Sequence, residues 1–347
     1  MSRAYLDWNA TAPLRPEARD AMIAAMDVLG NPSSVHAEGR AAKAIVERAR
    51  AQVAEATGAG EADIVFTSGA TEAASLALAG RDLAGAAIEH DCVAAWTDGA
   101  VPVDEAGRVT VAEPERSALQ AANSETGVLQ DLPEGLAFTD AVQAVGKVPF
   151  AFSWSGAEMA AISAHKFGGP KGAGALILRR GLDVAAQLRG GGQEMGRRAG
   201  TENVVAIAGM GAAAAAAQAD LDAGRWEAVA ELRNILESAL RDAAPDLILV
   251  GEGAARLPNT TCIAVPGWRG ETQVMQMDLA GFAISAGSAC SSGKVKESRV
   301  LRAMGLDADA ASSAIRISLG PTTMRAEVDG FVAAWARQHA KFRARAA

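Results

Sequence analysis

The chain has 347 residues, half of them hydrophobic, and 41 acidic against 33 basic side chains give it a net charge of −8. That length and apolar content can bury a large core and suggest one large domain with a smaller one beside it, while the negative charge disfavours a general nucleic-acid surface. Three cysteines, Cys92, Cys262 and Cys290, odd in number and far apart, argue against a disulfide framework or a paired-cysteine metal site, so any cysteine chemistry belongs to a single thiol.

The opening MSRAYLDWNATAPLRP has no apolar segment behind its Arg, and no later run approaches the ~20 residues of a membrane span, so a soluble, cytoplasmic protein without membrane contact is expected. A first helical pattern breaks at Pro32-Ser33-Ser34, and residues 41–57 then read as an amphipathic helix with Ile45, Val46, Ala49 and Val53 on one side. Residues 64–67 read as a strand, followed at once by Ser68-Gly69-Ala70-Thr71-Glu72 and an Ala/Leu-rich helix. Strand, glycine turn and helix form the unit of a doubly wound sheet. Residues 136–139, 159–163 and 175–178 supply further strands of the same kind.

Residues 202–221 form an Ala-rich helix, and Trp226, Val229, Leu232, Leu236 and Leu240 share one face of the next. Beyond Pro245, short strands at 247–250, 261–265, 282–285 and 315–319 alternate with helical segments, the texture of a smaller α+β domain. The boundary is set near Gly224, with residues 15–223 as the large domain and residues 1–14 and 224–347 as the small one. The basic tail Arg337, Lys341, Arg343 and Arg345 reads as a solvated helix end.

Four stations bear on chemistry. The SGATE turn leaves the N–H groups of Gly69, Ala70 and Thr71 at a helix start, where orphan donors and the helix dipole favour phosphate, although many such turns hold only water. Asp140 follows a strand at the edge where ligands of open α/β sheets collect; it either caps the next helix or faces a protonated ring nitrogen. His90 ends the apolar segment 86–89 and is otherwise an ordinary strand-end histidine. Lys166, in ISAHKFGGPKGAGA, is either a surface charge or an amine held for chemistry. Together these are the parts of a pyridoxal phosphate enzyme.

The motifs YLDWNATAP, GNPSSVHAEG, FTSGATEA, IEHDCV, NSETGV, TDAVQAVGKVP, SAHKFGGPKG, GGGQEMGRRAGTEN, SAGSACSSG and AIRISLG, in this order from Tyr5 to about Gly320, resemble the cysteine desulfurases of the class V aminotransferase superfamily. The resemblance implies an α/β fold like that of aspartate aminotransferase: a large domain with a mainly parallel sheet between helices, and a smaller α+β domain carrying the catalytic cysteine loop. It implies pyridoxal 5′-phosphate held as a Schiff base on Lys166, with Asp140 on the pyridine nitrogen, Gln143 on the ring 3′-oxygen and His90 stacked on the ring and moving protons. Ala70, Thr71, Ser163 and His165 would hold the phosphate, helped by Thr201 from the second subunit of a homodimer, and Ser124 would contact the cofactor or substrate. Arg316, with Asn31, would clamp the substrate carboxylate, a task suited to a bidentate guanidinium.

Cys290 would be the nucleophile that takes sulfur from L-cysteine as a persulfide and leaves L-alanine. An unperturbed thiol, with a pKa of about 8.5, is only a few per cent thiolate at neutral pH, and no fixed base for it is evident. Its small, polar, flexible surroundings suit a thiol that carries sulfur outward. The SAGSACSSG form looks like the branch serving iron–sulfur cluster and thiolation pathways, so the acceptor is expected to be an iron–sulfur scaffold protein or a tRNA-thiolation relay. No metal is expected. Cys262 reads as core, Cys92 has no assigned task, and His36 and His339 have no catalytic role.

Three departures from the family pattern stand out. Ser124 stands where relatives usually have Asn, and Ala164 replaces the usual Gly before His165. Residues 131–135 join two strand regions with almost no linker where relatives carry a helix, although a parallel crossover usually needs a dozen or more residues. With a short segment after Val103, these leave two other readings open: a selenocysteine lyase or aminotransferase of the same fold, and a non-catalytic, cofactor-binding scaffold for iron–sulfur assembly partners.

Overall fold

The computed structural model describes residues 3–287 and 297–346. Its first half runs β1 (Ala4–Tyr5), α1 (Pro16–Met26), α2 (Ala37–Ala56), β2 (Asp63–Thr67), α3 (Ala70–Leu78), α4 (Asp91–Ala94), β3 (Thr139–Asp140), β4 (Met159–Ser163) and β5 (Gly174–Leu178). Then come α5 (Val204–Asp222), α6 (Arg225–Ala243), β6 (Ile248–Leu249), β7 (Thr260–Ala264), α7 (Gly270–Leu279), β8 (Phe282–Ala283) and β9 (Ser285–Ala286). The chain closes with α8 (Arg299–Ala303), α9 (Ala308–Ser312), β10 (Ala314–Ser318) and α10 (Arg325–Ala346).

The strands of the first sheet are apolar almost throughout because both faces are covered. Alternate side chains point to opposite faces: Ile64, Phe66, Ala160, Ile162, Ala175 and Ile177 enter a core shared with α2 and α5, while Val65, Met159, Ala161, Leu176 and Leu178 enter a second core shared with α3. The order is β2-β5-β4-β3. Beyond β3 it continues through residues 117–121 and 84–86, with Ala118 opposite Phe138 and Ala84 opposite Ser117, both parallel. β5 alone is antiparallel to its two neighbours, so the other strands run one way, as the mainly parallel expectation requires.

Two helices differ from expectation. α2 begins at Ala37 because His36 caps it, its Nδ1 accepting from the Gly39 N–H at 3.4 Å. α5 is 19 residues long and apolar enough to cross a bilayer, which corrects the reading that no run approaches that length. Its Ile207, Met210, Ala213, Ala214 and Ala217 are spent in the core instead. Gly211 permits the close approach of α2, since a Cβ there would lie 2.6 Å from Ala49 Cα.

The short 131–135 connection is rebuilt without a helix. The crossover spans residues 122–135 as an excursion in which Ala122 faces Leu129 antiparallel, and Asn123 Oδ1 accepts the N–H groups of Glu125 and Thr126 at 2.9 Å each. Its tip is stapled to a second loop: Leu129 donates to Ala255 O at 2.9 Å and Leu257 to Gly127 O at 2.7 Å. Arg256 between them makes a bidentate pair with Glu237 of α6, at 2.8 and 2.9 Å, and the Thr261 hydroxyl donates to the same carboxylate at 2.9 Å.

The second sheet is antiparallel, in the order β6-β7-β10-β9. The expected 282–285 strand divides: β8 pairs with β1, β9 with β10. Asp7 bridges Ser318, so the N-terminal segment runs beside β10, and Ala4 and Leu6 share a core with Trp226, Leu236, Ile315 and Phe331. α5 and α6 belong to different cores and meet at Gly224, whose φ is 68°. Arg337, Lys341, Arg343 and Arg345 are exposed on α10.

Removing one partner of the buried Arg256–Glu237 pair leaves an uncompensated charge, a cost of about 3 kcal/mol or more. Glu237→Leu is therefore expected to lower the urea midpoint strongly, and Glu237→Leu with Arg256→Met to recover much of that loss.

Candidate active site

The parallel strands end at one edge of the sheet, and the segments leaving them surround a cavity of about 530 Å3. β2 leads into Gly69, Ala70 and Thr71 at the start of α3, and the 84–86 strand leads to His90. The 117–121 strand leads to Ser124, β3 carries Asp140 with Gln143 after it, and β4 ends at Ser163 before His165 and Lys166. Arg316 reaches the same cavity from β10. Asn31 and Thr201 lie outside this wall and are exposed; Asn31 Oδ1 accepts the Ser33 N–H at 2.9 Å within its own loop. Cys290 falls outside the described residues.

Lys166 closes a three-residue 3-10 turn, Ala164–Lys166, and its Nζ donates to the carbonyls of Asn9 at 2.7 Å and Ala10 at 2.9 Å. It is an inward-facing amine rather than a surface charge. Asp140 Oδ1 accepts the Val142 N–H at 2.9 Å, and the residue lines the cavity. The expected helix after it is replaced by a run of turns at 142–147. Burial raises the Asp140 pKa, against the pull of His90, the Val142 N–H and Lys166.

Burial dominates the neighbouring groups too. It pushes Glu89 up to about 8; Glu89 Oε1 accepts the Gln120 N–H at 2.9 Å, and Oε2 has no hydrogen-bond partner among the described residues. Glu125, which accepts from Ser298 Oγ at 2.6 Å, rises to about 7. His165 falls to about 4, through burial first and then the charges of Lys166, Lys171 and Lys147, so its ring is neutral at pH 7. Its buried Nδ1 has no partner among the described residues.

At the start of α3, Glu72 accepts the Ser68 N–H at 2.7 Å and pairs with Arg198 at 2.8 Å, which neutralises a carboxylate beside the helix N-terminus. His90 Nδ1 accepts the Cys92 N–H at 3.2 Å and lies 3.0 Å from Cys92 Sγ. As an acceptor, Nδ1 leaves the proton of the neutral ring on Nε2. Arg316 is buried, with Nη2 on Asp7 at 2.8 Å and Nη1 on the Ser124 carbonyl at 2.9 Å, while Nε has no partner among the described residues.

Several residues in or just behind this wall escaped the sequence reading. Asn9 and Asp7 sit in the quoted motif YLDWNATAP, and Lys147 in TDAVQAVGKVP, yet none has a type or spacing that announces a role. Cys92 was noted without a task and lines the cavity. Cys262, as expected, is buried in β7, and burial pushes its thiol up to about 12.

The family profile described as Aminotransferase class-V matches residues 4–331. The chain belongs to this family. It is 41% identical to a cysteine desulfurase of Cereibacter sphaeroides, over 95% of this chain and 94% of that one. Among solved structures, a NifS-like protein from Rickettsia africae shares 33% identity and superposes with a TM-score of 0.87, covering 96% of this chain and 99% of the other. The structure of SspA in complex with cysteine shares 27% identity at a TM-score of 0.74, covering 92% and 100%. The cavity of this chain thus lies on the fold of pyridoxal phosphate-dependent transferases.

Glu89 makes the stability of the protein depend on pH. An acid whose folded pKa of about 8 exceeds its ordinary 4.5 keeps a proton that the unfolded chain has released, so stability falls as pH rises through that window and the loss is complete above it. Glu89→Gln removes the effect. Its Tm relative to the parent is expected to rise by ~3 °C or more between pH 5 and pH 9 in calorimetric scans.

Proposed function

We propose that this chain is a pyridoxal phosphate-dependent cysteine desulfurase that converts L-cysteine to L-alanine and passes the sulfur, as a persulfide on Cys290, to an acceptor in iron–sulfur cluster assembly or thiolation. The observation that carries the reading is the convergence of Lys166, fully buried Asp140 and neutral His165 with the α3 start on one cavity.

The donor set fits the cofactor. The N–H groups at the start of α3, Ser163 and the unpartnered His165 Nδ1 suit a phosphate. Asp140, whose pKa burial raises, would pair with a cationic ring nitrogen, and such a charge-assisted bond would favour its carboxylate and the protonated ring together. Gln143 presents an amide donor for the ring oxygen, and His90, held at Nδ1, lies over the same space. When bound, pyridoxal phosphate supplies an aldehyde for Lys166 and a ring that accepts the electrons released at the substrate Cα.

The remaining work falls to side chains. Lys166 Nζ takes the Cα proton and returns protons to the product skeleton. Arg316, oriented by Asp7 and the Ser124 carbonyl, offers its unpartnered Nε–H toward the substrate carboxylate. The Cys290 thiolate attacks the substrate sulfur; the carbon–sulfur bond breaks, the sulfur stays on Cys290, and the carbon skeleton leaves as alanine. Ser124, shorter than Asn, meets substrate or cofactor through a bridging water.

We propose further that the enzyme is a cytoplasmic homodimer in two lobes, residues 15–223 and residues 1–14 with 224–347, and that Thr201 reaches the phosphate of the other subunit. The Arg198–Glu72 and Arg50–Glu194 pairs, at 2.8 and 2.9 Å, hold the Thr201 loop in place for this while Thr201 stays exposed. Asn31 assists Arg316 at the substrate carboxylate.

Incubation of the purified protein with L-cysteine and a reductant is expected to release alanine and sulfide in equal amounts, and release of a keto acid instead would sink the proposal. Lys166→Ala should lose ~10²–10⁴-fold in turnover or more and resist fixation of the cofactor by borohydride. Cys290→Ala should stay yellow yet form no persulfide.

A further inference from the structure

Lys147 is a lysine buried to 2% exposure with no carboxylate among its hydrogen-bond partners. Such a group is costly to bury. Desolvation, then the charges of Lys166 and Arg316, hold its pKa well below the ordinary lysine value. It does not line the cavity; it sits behind Gln143, which does. Gly146, at φ 74°, turns the chain inward just before it, and a Cβ at that glycine would lie 2.9 Å from Ala217 Cβ and 3.0 Å from Phe167 Cβ.

We propose that Lys147 is a positioning residue: its amine fixes the amide of Gln143 so that Gln143 turns its Nε2 donor, and not its oxygen, toward the cofactor cavity. The bonding pattern supports one orientation only. Gln143 Nε2 donates to the Asn9 carbonyl at 3.0 Å, and that oxygen can only accept. Gln143 Oε1 therefore faces Lys147 Nζ, which donates to it. The same amine donates to Asn9 Oδ1 at 3.3 Å. Asn9 is itself pinned, because its Nδ2 donates to the Ser124 carbonyl at 3.3 Å and to Thr260 Oγ1 at 2.8 Å. An amine donates in both protonation states, so the arrangement holds whether Lys147 is charged or neutral. An amide Nε2 carries two hydrogens; one is used on Asn9, and the second is the one that meets a ligand oxygen.

This inference rests on the cofactor reading above, and the tests separate the two. Pyridoxal phosphate titrated into the full-length protein, followed by its visible absorption, is expected to bind Lys147→Met ~10-fold more weakly and to shift its band in the direction seen for Gln143→Leu. The double variant should be no worse than Gln143→Leu alone. Effects that multiply, or a Lys147→Met protein with unchanged affinity and band, overturn the proposal. A second measurement needs no cofactor and keeps Lys147 in place. Gln143→Glu keeps an acceptor for the amine, at the cost of an oxygen facing the Asn9 carbonyl, and should melt above Gln143→Leu, which strands the amine; the reverse order overturns the proposal. A parent protein that fails to bind pyridoxal phosphate defeats the cofactor reading, and the melting comparison still judges the Lys147 contact.

Discussion

The whole site hangs on one asparagine. Asn9 spends its polar groups on five separate segments: its N–H on Ser318 Oγ at 2.9 Å, its Nδ2 on Ser124 O and Thr260 Oγ1, its Oδ1 on Asn259 Nδ2 at 3.0 Å and Lys147, and its carbonyl on Gln143 and Lys166. The bonds to Ser318, Thr260 and Asn259 reach the antiparallel sheet, and those to Ser124, Gln143, Lys147 and Lys166 reach the segments that follow the parallel strands, so Asn9 links the two. A buried polar group left unpaired costs ~1–3 kcal/mol, so the segments cannot slide independently without several such losses. The cavity keeps its shape because the N-terminal segment is threaded through this seam.

The shortened crossover depends on the same logic at a second place. A strand–helix–strand connection ordinarily buries its own helix and so closes the face of the sheet. Here residues 122–135 have no helix, and backbone bonds to Ala255 and from Leu257, together with the Arg256–Glu237 pair, hold them against the smaller sheet instead. The crossover therefore couples the two sheets directly. It also keeps Ser124 and Glu125, which lie within the crossover, at the cavity and at Ser298 respectively.

Much of this could be read from the sequence where one physical rule acts alone. Runs such as 159–162 and 175–178 are apolar at every position because two helical layers cover them, and glycine turns after strands mark where the ligand edge lies. Residues whose side chains must change function with context, Asp140 and Lys166, were located though not decided by local pattern. What stayed illegible was set by distant partners. Asn9 gains its role from residues more than a hundred positions away, α5 looks like a membrane span until α1 and α2 are packed on it, and the turns at 142–147 replace a helix because Gly146 and the inward Lys147 break it.

The electrostatics of the cavity also favour a charged ligand there. Asp140, Glu89 and Glu125 are all raised, and His165 and Lys147 are lowered, with burial the first cause in every case. Each shift disfavours the charged form, so a charge at or just behind the wall is costly when nothing compensates it. A zwitterionic amino acid, a phosphate or a cationic ring brings that compensation with it and favours the ionised state of the group it touches. The same residues that destabilise the free protein by burying polar groups thus become the source of binding energy and orientation, which is the usual relation between strain at a site and the chemistry done there.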